Sequence, residues 1–558
     1  MRRKLTDDLI TLQQDTPVQP YSVVHRLKLA KAYKSLGYPD LAIGDAYKAL
    51  LLIDEVVEEG EYHDEALEAA EADFLFERMA SLAVHDDANN SLGEKQETTA
   101  WAQTKASRIA YDLIIGCLID CGCLRSAFDH ITRAMKAFPG DTIFETYNET
   151  LSKRVASVLG VQGDDDHGVD VEDYPDKGLV RREQYPWNDH EPNRFSDESL
   201  TFLNEELANI APRLEVRIAE LPLLTPSLAS NESDKEIQYT KQLGLFSKED
   251  VPPGDQILEE KSLLTAVARL HEAYCDACSV LLPNSLDTAS ADDTGAKIVA
   301  CEDCDEVFFC STDCHDLAQD SYHPSLCGVD MDQGRIPASE AADSLYSRLL
   351  VRALALAETQ DVHPLELKEV RYIWGDYHGL DLDSIWTAES SGRPMDAFGA
   401  VPQTLPFSFK YNILFPQQIL EKMDVNIFTQ SHRYDTWVLN TLYAKFRGTA
   451  SARQGLDGRP EVSAVHPMWC LANHSCDPNV SWDWRGTMRF WTREQLVDWH
   501  GRDAGKTPGI KKGEEVFGHY CDVRLPVTER REWAVGALGG DCMCERCIWE
   551  AEERCGEQ

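Results

Sequence analysis

The sequence predicts a multidomain α+β protein, with a helical amino-terminal domain followed by a β-rich part that carries cysteine-rich metal sites. Residues 20–160 repeat apolar side chains with a helical period, whereas later segments such as VSWDWRGTMRFW have the composition of strands. Fourteen of the 17 cysteines follow residue 270, and nine of these lie within four residues of another cysteine. A chain of 558 residues is long enough for about three domains.

The composition limits the partners that the protein can bind. Its net charge is −42 at pH 7, concentrated in runs such as residues 54–77 and 164–176. Such a field repels phosphate backbones and anionic membranes and attracts basic partners, although a charge run is also typical of a plain solvated surface. There is no signal peptide and no run of about 18 apolar residues. We therefore expect a soluble protein of the nucleus, the cytoplasm or both, with no direct nucleic-acid contact and no membrane.

Residues 1–160 are expected to form a helical domain. HRLKLAKAYKSLGYPDLAIGDAYKALLL has small and aromatic residues where a tetratricopeptide repeat packs its helices, and YDLIIGCLIDCGCLRSAFDHITRAMKAFP resembles a second copy. Their separation is not a multiple of the repeat length of about 34 residues, so irregular helices or a loop such as HDDANNSLGEKQ must intervene. A generic helical bundle is the alternative. Residues 161–235, which are acidic and rich in Pro, Asn and Ser, are expected to be a linker or insert.

A row of paired metal-ligand candidates follows. It comprises Cys275 with Cys278, Cys301 with Cys304, Cys310 with Cys314, and His323 with Cys327. The Cys-x-x-Cys pairs fit tight turns that present two sulfurs to one ion, and the wider pairs lie one helical turn apart and face the same way. His315 competes with His323, but only His323 has a cysteine four residues further on. Eight ligands fill two tetrahedral sites, and metal-bound thiolates are more typical of a large intracellular chain than disulfides.

A second cluster, CMCERC from Cys542 to Cys547, offers three thiolates to one ion and leaves a fourth position open. Cys476, in the stretch NHSCDPN from Asn473 to Asn479, is the candidate fourth ligand, which folding would bring in from far along the chain. Two alternatives for NHSCDPN stay open. It is a Cys-His nucleophile, which requires a free thiolate and a third orienting group, or a simple turn with a buried thiol.

In their order along the chain, these motifs resemble the SET and MYND domain-containing protein lysine methyltransferases, in which a MYND zinc finger splits a β-rich SET domain. The implied divisions are the first SET part at 236–272, the MYND finger at 273–330, a helical SET insert at 331–400, the SET core at 401–530 and the post-SET segment at 531–558. The resemblance implies three structural zinc ions. Their ligand sets are Cys275, Cys278, Cys310 and Cys314; Cys301, Cys304, His323 and Cys327; and Cys476, Cys542, Cys544 and Cys547.

The resemblance also implies a reaction, the S-adenosylmethionine-dependent methylation of a lysine side chain in a protein substrate, histone or not, for which the acidic surface suits a basic segment. Tyr520 matches the catalytic tyrosine of the family. The matching cofactor-binding positions are Lys241, Leu243 and Gly244 in the glycine turn, Asn473 and His474 in NHSC, and Tyr520 itself. A core role for Tyr520 and a purely structural role for His474 are the alternatives.

Departures from the family pattern support a second hypothesis, a non-catalytic adaptor that binds protein partners through its repeats or its finger. The glycine turn reads QLGL and lacks its first glycine, and LGGD at 538–541 replaces the aromatic residues that usually precede CxCxxC. The family often has a further cofactor-binding asparagine upstream of NHSC, and the nearest candidate for it in this chain is Asn440. Few residues follow Cys547, so the family's carboxy-terminal helical domain is not expected. DNA binding by the finger is a third hypothesis, which the net charge opposes.

Overall fold

The computed structural model describes most of the chain. The described residues are 2–80, 91–160, 169–222, 224, 239–267, 273–283, 298–304, 306–331, 336–375, 377, 403–454, 460–538 and 540–556. Parts of the expected loop HDDANNSLGEKQ, of the 161–235 stretch, of the insert between Cys278 and Cys301 and of the 331–400 insert lie outside these residues. The chain divides into two compact units, Met1–Asn188 with Tyr377–Thr441, and Asp189–Asp376 with Leu442–Gln558. No helix among the described residues is long and apolar enough to cross a membrane.

The first unit consists mainly of helices, as the sequence predicts for its amino-terminal part. The helices in residues 1–160 are Arg2–Asp15, Val23–Ser35, Pro39–Val57, His63–Ala80, Ser91–Trp101, Ser107–Cys121, Leu124–Ala137 and Thr142–Leu159. They are followed by the strands Gly178–Arg181 and Gln403–Phe407, which pair antiparallel, and by the helices Phe415–Lys422, Ser431–Tyr434 and Thr436–Arg447, the last of which continues into the second unit. Their assignment to tetratricopeptide repeats stays a prediction.

Local sequence explains where these helices begin, end and pack. Ser22 caps the helix Val23–Ser35 because its hydroxyl oxygen accepts a hydrogen bond from the His25 amide at 3.0 Å. Gly122 ends the helix Ser107–Cys121 with a left-handed φ of 81°, which glycine adopts without steric cost. Ala42 and Ala127, the key small residues of the two repeat-like segments, are fully buried. Small side chains there allow neighbouring helices to approach closely.

Residues 403–441, which lie within the predicted SET core at 401–530, group with this helical unit. Buried polar contacts hold them there. Asp435 accepts hydrogen bonds from Lys48 at 3.2 Å and from the Tyr33 hydroxyl at 3.1 Å, and the Asn440 amide donates to Asp40 at 2.8 Å. A buried charge is costly unless it is paired, so these contacts join the segment to the amino-terminal helices. Asn440, the nearest candidate for an extra cofactor contact, is engaged within this unit.

The second unit mixes short strands and helices. Its strands are Leu214–Pro222, Tyr239–Ser247, Gln256–Glu260, Thr265–Val267, Val299–Ala300, Phe308–Phe309, Ser451–Gln454, Pro460–Ala464, Asn473–His474, Val480–Trp484, Met488–Thr492 and Phe517–Gly518. Its helices are Asp197–Ile210, Thr312–Ser321, Ala341–Thr359, Lys368–Arg371, Val527–Leu538 and Glu545–Gly556. The predicted strands within residues 241–266 and in VSWDWRGTMRFW are confirmed, and so is the helical pattern at 339–358.

Two three-stranded antiparallel sheets and two strand pairs organise the part that matters for function. In one sheet the central strand Met488–Thr492 pairs with Val480–Trp484 and Gln256–Glu260, and in the other Pro460–Ala464 lies between Thr265–Val267 and Ser451–Gln454. One strand pair joins Asn473–His474 to Phe517–Gly518 in parallel. The other joins Leu214–Pro222 to Tyr239–Ser247 in antiparallel register.

The stretch 161–235 contains regular structure where a linker or insert is expected. Its helix Asp197–Ile210 and strand Leu214–Pro222 supply Leu203, Leu207 and Leu214 to the main core of this unit. These leucines bury fully against strand residues such as Leu245 and Phe490. The acidic residues of the stretch dominate its average composition, which hides the few apolar residues that fold it.

Candidate metal centres and active site

The structure brings the predicted finger ligands together in two separate groups. Cys275, Cys278, Cys310 and Cys314 form the first group, and Cys301, Cys304, His323 and Cys327 form the second. In each group all ligand atoms lie within 4.8 Å of one another. Within the first, Cys310 Sγ is 3.7 Å from Cys278 Sγ and 3.6 Å from Cys314 Sγ. The pairs therefore interleave along the chain, as the family resemblance implies.

Local structure explains how these ligands are placed. Ser311 caps the helix Thr312–Ser321 by accepting a hydrogen bond from the Cys314 amide at 3.2 Å, which fixes the first turn of the helix. Cys314 thereby faces Cys310 across the cap. His323 lies in a short 3₁₀ turn, with its Nε2 at 3.2 Å from Cys301 Sγ. The competitor His315 instead has its Nδ1 at 2.9 Å from the carboxylate of Asp316 and is not in the group.

A third group joins NHSCDPN to the carboxy-terminal cluster. Cys476 lies with Cys542, Cys544 and Cys547, and its Sγ is 3.4 Å from that of Cys547. Cys476 and Cys547 are fully buried. Cys521 also belongs to this apolar neighbourhood, and a further group is formed by His474, Cys476 and Cys521. The structure thus places Cys476 among the CxCxxC thiols despite the long intervening chain.

The donor chemistry of all three groups fits zinc. Four ligands at Zn–S distances of about 2.3 Å in a tetrahedron place neighbouring sulfurs about 3.8 Å apart. The sulfur–sulfur distance of 3.9 Å between Cys301 and Cys327 in the second group matches this value. His323 Nε2 lies 3.7 Å from Cys304 Sγ, within reach of the same ion. With four protein ligands each, such sites hold a structural ion and leave no position for a substrate.

Two buried arginines support the third group, and neither is predicted from the sequence. Arg530 Nη2 donates to Cys547 Sγ at 3.5 Å and to Glu550 at 2.8 Å, while Arg546 donates to the carbonyl oxygens of Cys476 at 2.9 Å and Val523 at 2.8 Å. A tetrathiolate zinc site carries excess negative charge, which these guanidinium groups offset. Arg546 lies within CxCxxC, whereas Arg530 lies twelve residues before Cys542 and has no sequence signal of this role.

His474 connects the third group to Tyr520. The Tyr520 amide donates to His474 Nδ1 at 3.0 Å, so the proton of a neutral ring lies on Nε2, which is 3.4 Å from Cys476 Sγ. Burial is the main reason that the pKa of His474 falls to about 4, which keeps the ring neutral at pH 7. The Tyr520 hydroxyl donates to the carbonyl of Ala472 at 2.9 Å. The predicted catalytic residue Tyr520 and the predicted metal ligand Cys476 are therefore linked through His474.

The predicted cofactor residues of the glycine segment meet Asn473. The Asn473 amide donates to the carbonyl of Leu243 at 3.0 Å and to Glu515 at 2.6 Å. A Cβ atom at position 244 would lie 2.5 Å from Glu515 Oε1 and 3.0 Å from Asn473 Nδ2, so a larger residue there would require the Glu515 carboxylate to move. Glu515 was not predicted as a site residue from the sequence. Burial raises the pKa of its carboxyl group, and the Asn473 hydrogen bond lowers it.

The glycine segment itself is a strand and not a turn. Lys241, Leu243 and Gly244 lie within Tyr239–Ser247, where continuous pairing with Leu214–Pro222 keeps the backbone extended. The Leu243 side chain is buried in the core, and Lys241 is exposed. The missing post-SET aromatic also has a steric reason, since a side chain at Gly540 would meet the Leu224 carbonyl oxygen at 2.3 Å.

Tyr520 lines a cavity of about 680 Å³ with aromatic walls. Trp482 stacks on His519 with ring centroids 5.5 Å apart and contacts Trp469 edge-on at the same distance. Trp533, which is 63% exposed, lines the cavity from the helix Val527–Leu538. Asn473, His474 and Gly244 are not part of the lining. The tryptophans were not predicted as site residues, because strand and helix pairing alone brings them together.

These ligand groups and their order along the chain resemble those of SET and MYND domain-containing proteins, and comparison with known proteins supports that resemblance over the matched residues. N-lysine methyltransferase SMYD2 of Homo sapiens is 29% identical over 92 residues, 16% of this chain and 18% of that protein. A SET and MYND domain-containing protein of Dictyostelium discoideum is 30% identical over 124 residues, 22% of this chain and 21% of that protein.

SET domain and MYND-type zinc finger protein 6 of Schizosaccharomyces pombe is 37% identical over 78 residues, which are 14% of each chain. The matched residues thus span less than a quarter of each of these relatives. No protein-family model matches the chain. The relatives support a link to lysine methyltransferases in general, and the particular reaction of this chain is a proposal.

Proposed function

We propose that this chain transfers a methyl group from S-adenosylmethionine to the side-chain amine of a lysine in a protein substrate. One observation carries the proposal. Tyr520 lines an aromatic cavity while its amide is bonded to His474, which follows Asn473, whose side-chain amide is bonded to the carbonyl of Leu243. Relatives that bear the name N-lysine methyltransferase support the same reaction class.

S-adenosylmethionine supplies, when bound, a methyl group that its sulfonium already activates. The chain's own task is then to align a neutral amine and to exclude water. The aromatic walls formed by Trp469 and Trp482 cannot solvate an ammonium ion as water does. They therefore lower the pKa of an entering lysine and favour its neutral, nucleophilic form. Tyr520 orients that amine from the cavity wall. Asn473 holds the strand at Leu243, where main-chain groups would meet the cofactor.

The remaining parts of the proposal concern structure and partners. Each of the three ligand groups binds a structural zinc ion. The tetratricopeptide-like repeats or the finger bind protein partners, and the substrate is a protein or peptide with a basic segment. The protein works in the nucleus, the cytoplasm or both, where chromatin proteins are among its substrates. Nucleic acid and membranes are not partners.

Methyl transfer is tested with tritiated S-adenosylmethionine and an extract of histones and ribosomal proteins as acceptors. We expect labelled methyl-lysine with the native chain and a loss of about a hundredfold with Tyr520→Phe. Tyr239→Phe, which changes an exposed tyrosine in the same unit, serves as the matched control and should retain activity. Absence of both label incorporation and cofactor binding in the zinc-loaded native chain would exclude the enzyme.

A non-catalytic adaptor is the second candidate, and one observation favours it. The amide of Asn473 donates to Leu243 and Glu515, so its donors are already occupied within the chain. Isothermal titration distinguishes the two candidates. An enzyme releases binding heat with S-adenosylmethionine and loses it in Asn473→Ala, whereas an adaptor gives no heat at millimolar cofactor and still captures its partner proteins.

A further inference from the structure

The ionised side chains that line the aromatic cavity carry a net positive charge. Arg493, Asp522 and Arg524 line it. Asp522 is bound on both carboxylate oxygens by Arg524, with Nε to Oδ1 and Nη2 to Oδ2 each at 3.0 Å. This fork-to-fork pair cancels its own charge. Arg493 is therefore the surplus cation of these three side chains, in a chain whose net charge is −42 at pH 7.

Arg493 has no carboxylate partner within the part of the chain that the structure describes. Its Nε donates to the carbonyl of Gln495 at 3.4 Å, and none of the described carboxylates lies within 4.0 Å of its guanidinium group. Asp477, which acts electrostatically on Arg493 from more than 4.0 Å away, is already bound by Arg502 at 2.6 Å and by Lys506 at 3.4 Å. The side chain is only partly buried and lies directly after the strand Met488–Thr492.

We propose that Arg493 binds the side-chain carboxylate of an aspartate or glutamate that lies close to the acceptor lysine of the substrate. The proposal rests on the proposed function, since it names the substrate class of the same cavity. A guanidinium group offers planar, paired donors that match a carboxylate, and aromatic walls that exclude water strengthen such a contact. The rest of this acidic chain repels a carboxylate. The local positive charge at Arg493 therefore makes the cavity the favoured place for the carboxylate of the substrate to bind.

The segment that this cavity accepts therefore combines three chemical features. It has a lysine that reaches Tyr520, an acidic neighbour for Arg493, and an apolar face for Trp533 at the rim. Acceptor lysines flanked only by basic residues place a further cation beside Arg493 and are disfavoured. Arg493 is a specificity-determining residue here and takes no part in the transfer itself.

The test uses fluorescent lysine peptides, amidated at the carboxy terminus, in which each of three positions on either side of the lysine is aspartate, alanine or arginine. Binding to the full zinc-loaded chain is measured by anisotropy, so the readout does not depend on methyl transfer. We expect one or two positions where aspartate binds about tenfold or more tightly than alanine, a preference that weakens as salt rises. A peptide with a free carboxy terminus and no acidic side chain tests the other source of a carboxylate.

Arg493→Ala should remove that preference, and Arg493→Glu should reverse it in favour of arginine. Arg485→Ala is the matched control, because Arg485 is 79% exposed, pairs with Asp483 and does not line the cavity. The proposal is overturned if no acidic position is preferred, if only the free carboxy terminus is selected, or if the preference survives Arg493→Glu. If the Arg493 variants fail to fold, a salt-independent preference of the native chain overturns it equally. An Arg493-dependent preference without methyl transfer supports the contact and refutes the proposed function instead.

Discussion

The finger and the carboxy-terminal cluster use the same ligand chemistry to hold together very different lengths of chain. The finger ligands all lie within residues 275–327, whereas the third group joins Cys476 to residues 542–547. Closing a longer loop costs more chain entropy, so the third group depends more on the rest of the fold. Ligands that are close in sequence can assemble with little help from the rest of the fold. Ligands that are distant in sequence come together only when the whole domain is correctly folded.

The two regions also differ in what surrounds them. Cys476 lies two residues after His474, whose ring nitrogens contact Cys476 Sγ and the Tyr520 amide. The second finger group has instead Phe309 and Gln319 near its ligands. Loss of metal from the third group is therefore expected to disturb the Tyr520 region, and loss from the finger is not.

Breaking the third group should have the largest effect. Structural zinc sites contribute roughly 10 kcal/mol or more of folding free energy, so Cys476→Ser is expected to release one metal ion and unfold the tail beyond Val527. Methyl transfer should then be lost entirely. Hydrogen exchange measured by mass spectrometry locates the unfolded residues, and metal analysis counts the ions.

The matched variant is Cys304→Ser in the finger, where a metal ion should also be lost while the exchange of residues 473–476 and 517–521 stays native. Equal exposure of the Tyr520 region in both variants would contradict the comparison.

A buried carboxylate, and not a metal ion, holds the segment that leads into NHSC. The pH dependence of its contribution to stability distinguishes it from the metal sites. Glu260 is buried and accepts hydrogen bonds from the amides of Met468 at 3.0 Å and Trp469 at 2.8 Å. Burial raises the pKa of Glu260 from 4.5 to about 7, although the two hydrogen bonds lower the pKa by a smaller amount. A raised folded pKa means that its contribution is fully present below about pH 4.5 and is lost as pH rises through about 7.

We expect this single group to lower the free energy of unfolding by up to about 3 kcal/mol between those values. Denaturant unfolding of the native chain and of Glu260→Gln, compared at the same pH values, isolates the effect because both keep their metal ligands. Parallel stability curves for the two proteins would show that Glu260 does not titrate in this range.

Tyr520→Phe tests whether the third group positions a reacting residue or only a core side chain. Loss of the hydroxyl should reduce kcat about a hundredfold and leave the metal content and the free energy of unfolding nearly unchanged. A drop in stability without a specific loss of kcat would instead indicate a structural tyrosine.

Asn473→Ala is expected to have the smallest effect. It removes the hydrogen bonds to Leu243 and Glu515 and should weaken cofactor binding by about 1–3 kcal/mol, with kcat less affected. Asn209→Ala, on an exposed part of the helix Asp197–Ile210, is the control with no expected change. Titration calorimetry measures both, and unchanged affinity in Asn473→Ala would remove Asn473 from the cofactor site.

The ligand pairs were predictable because cysteine spacing is a local property of the sequence. The spacing of Cys275 to Cys278 or Cys310 to Cys314 already implies a shared ion, whereas the grouping of one pair with another was implied only by the family resemblance. The open fourth position of CMCERC pointed to the distant Cys476. The alternating strand pattern of VSWDWRGTMRFW depends, like the pairs, on residues a few positions apart.

What the sequence did not reveal depends on pairing between distant segments. Glu515 becomes important only because Phe517–Gly518 pairs with Asn473–His474, and Arg530 looks like any other charged residue until the fold buries it. The attachment of residues 403–441 to the helical unit likewise rests on buried ion pairs such as Lys48 with Asp435. No local pattern marks a charge that will be buried.

Protection of Cys476 against alkylation, measured by mass spectrometry together with the metal content of the same sample, tests the central claim most directly. We predict that Cys476, Cys542, Cys544 and Cys547 are protected together in the metal-loaded chain and become reactive together when a chelator removes one ion. Rapid alkylation of Cys476 while the chain retains all its metal would contradict the convergence of these distant thiolates on one ion.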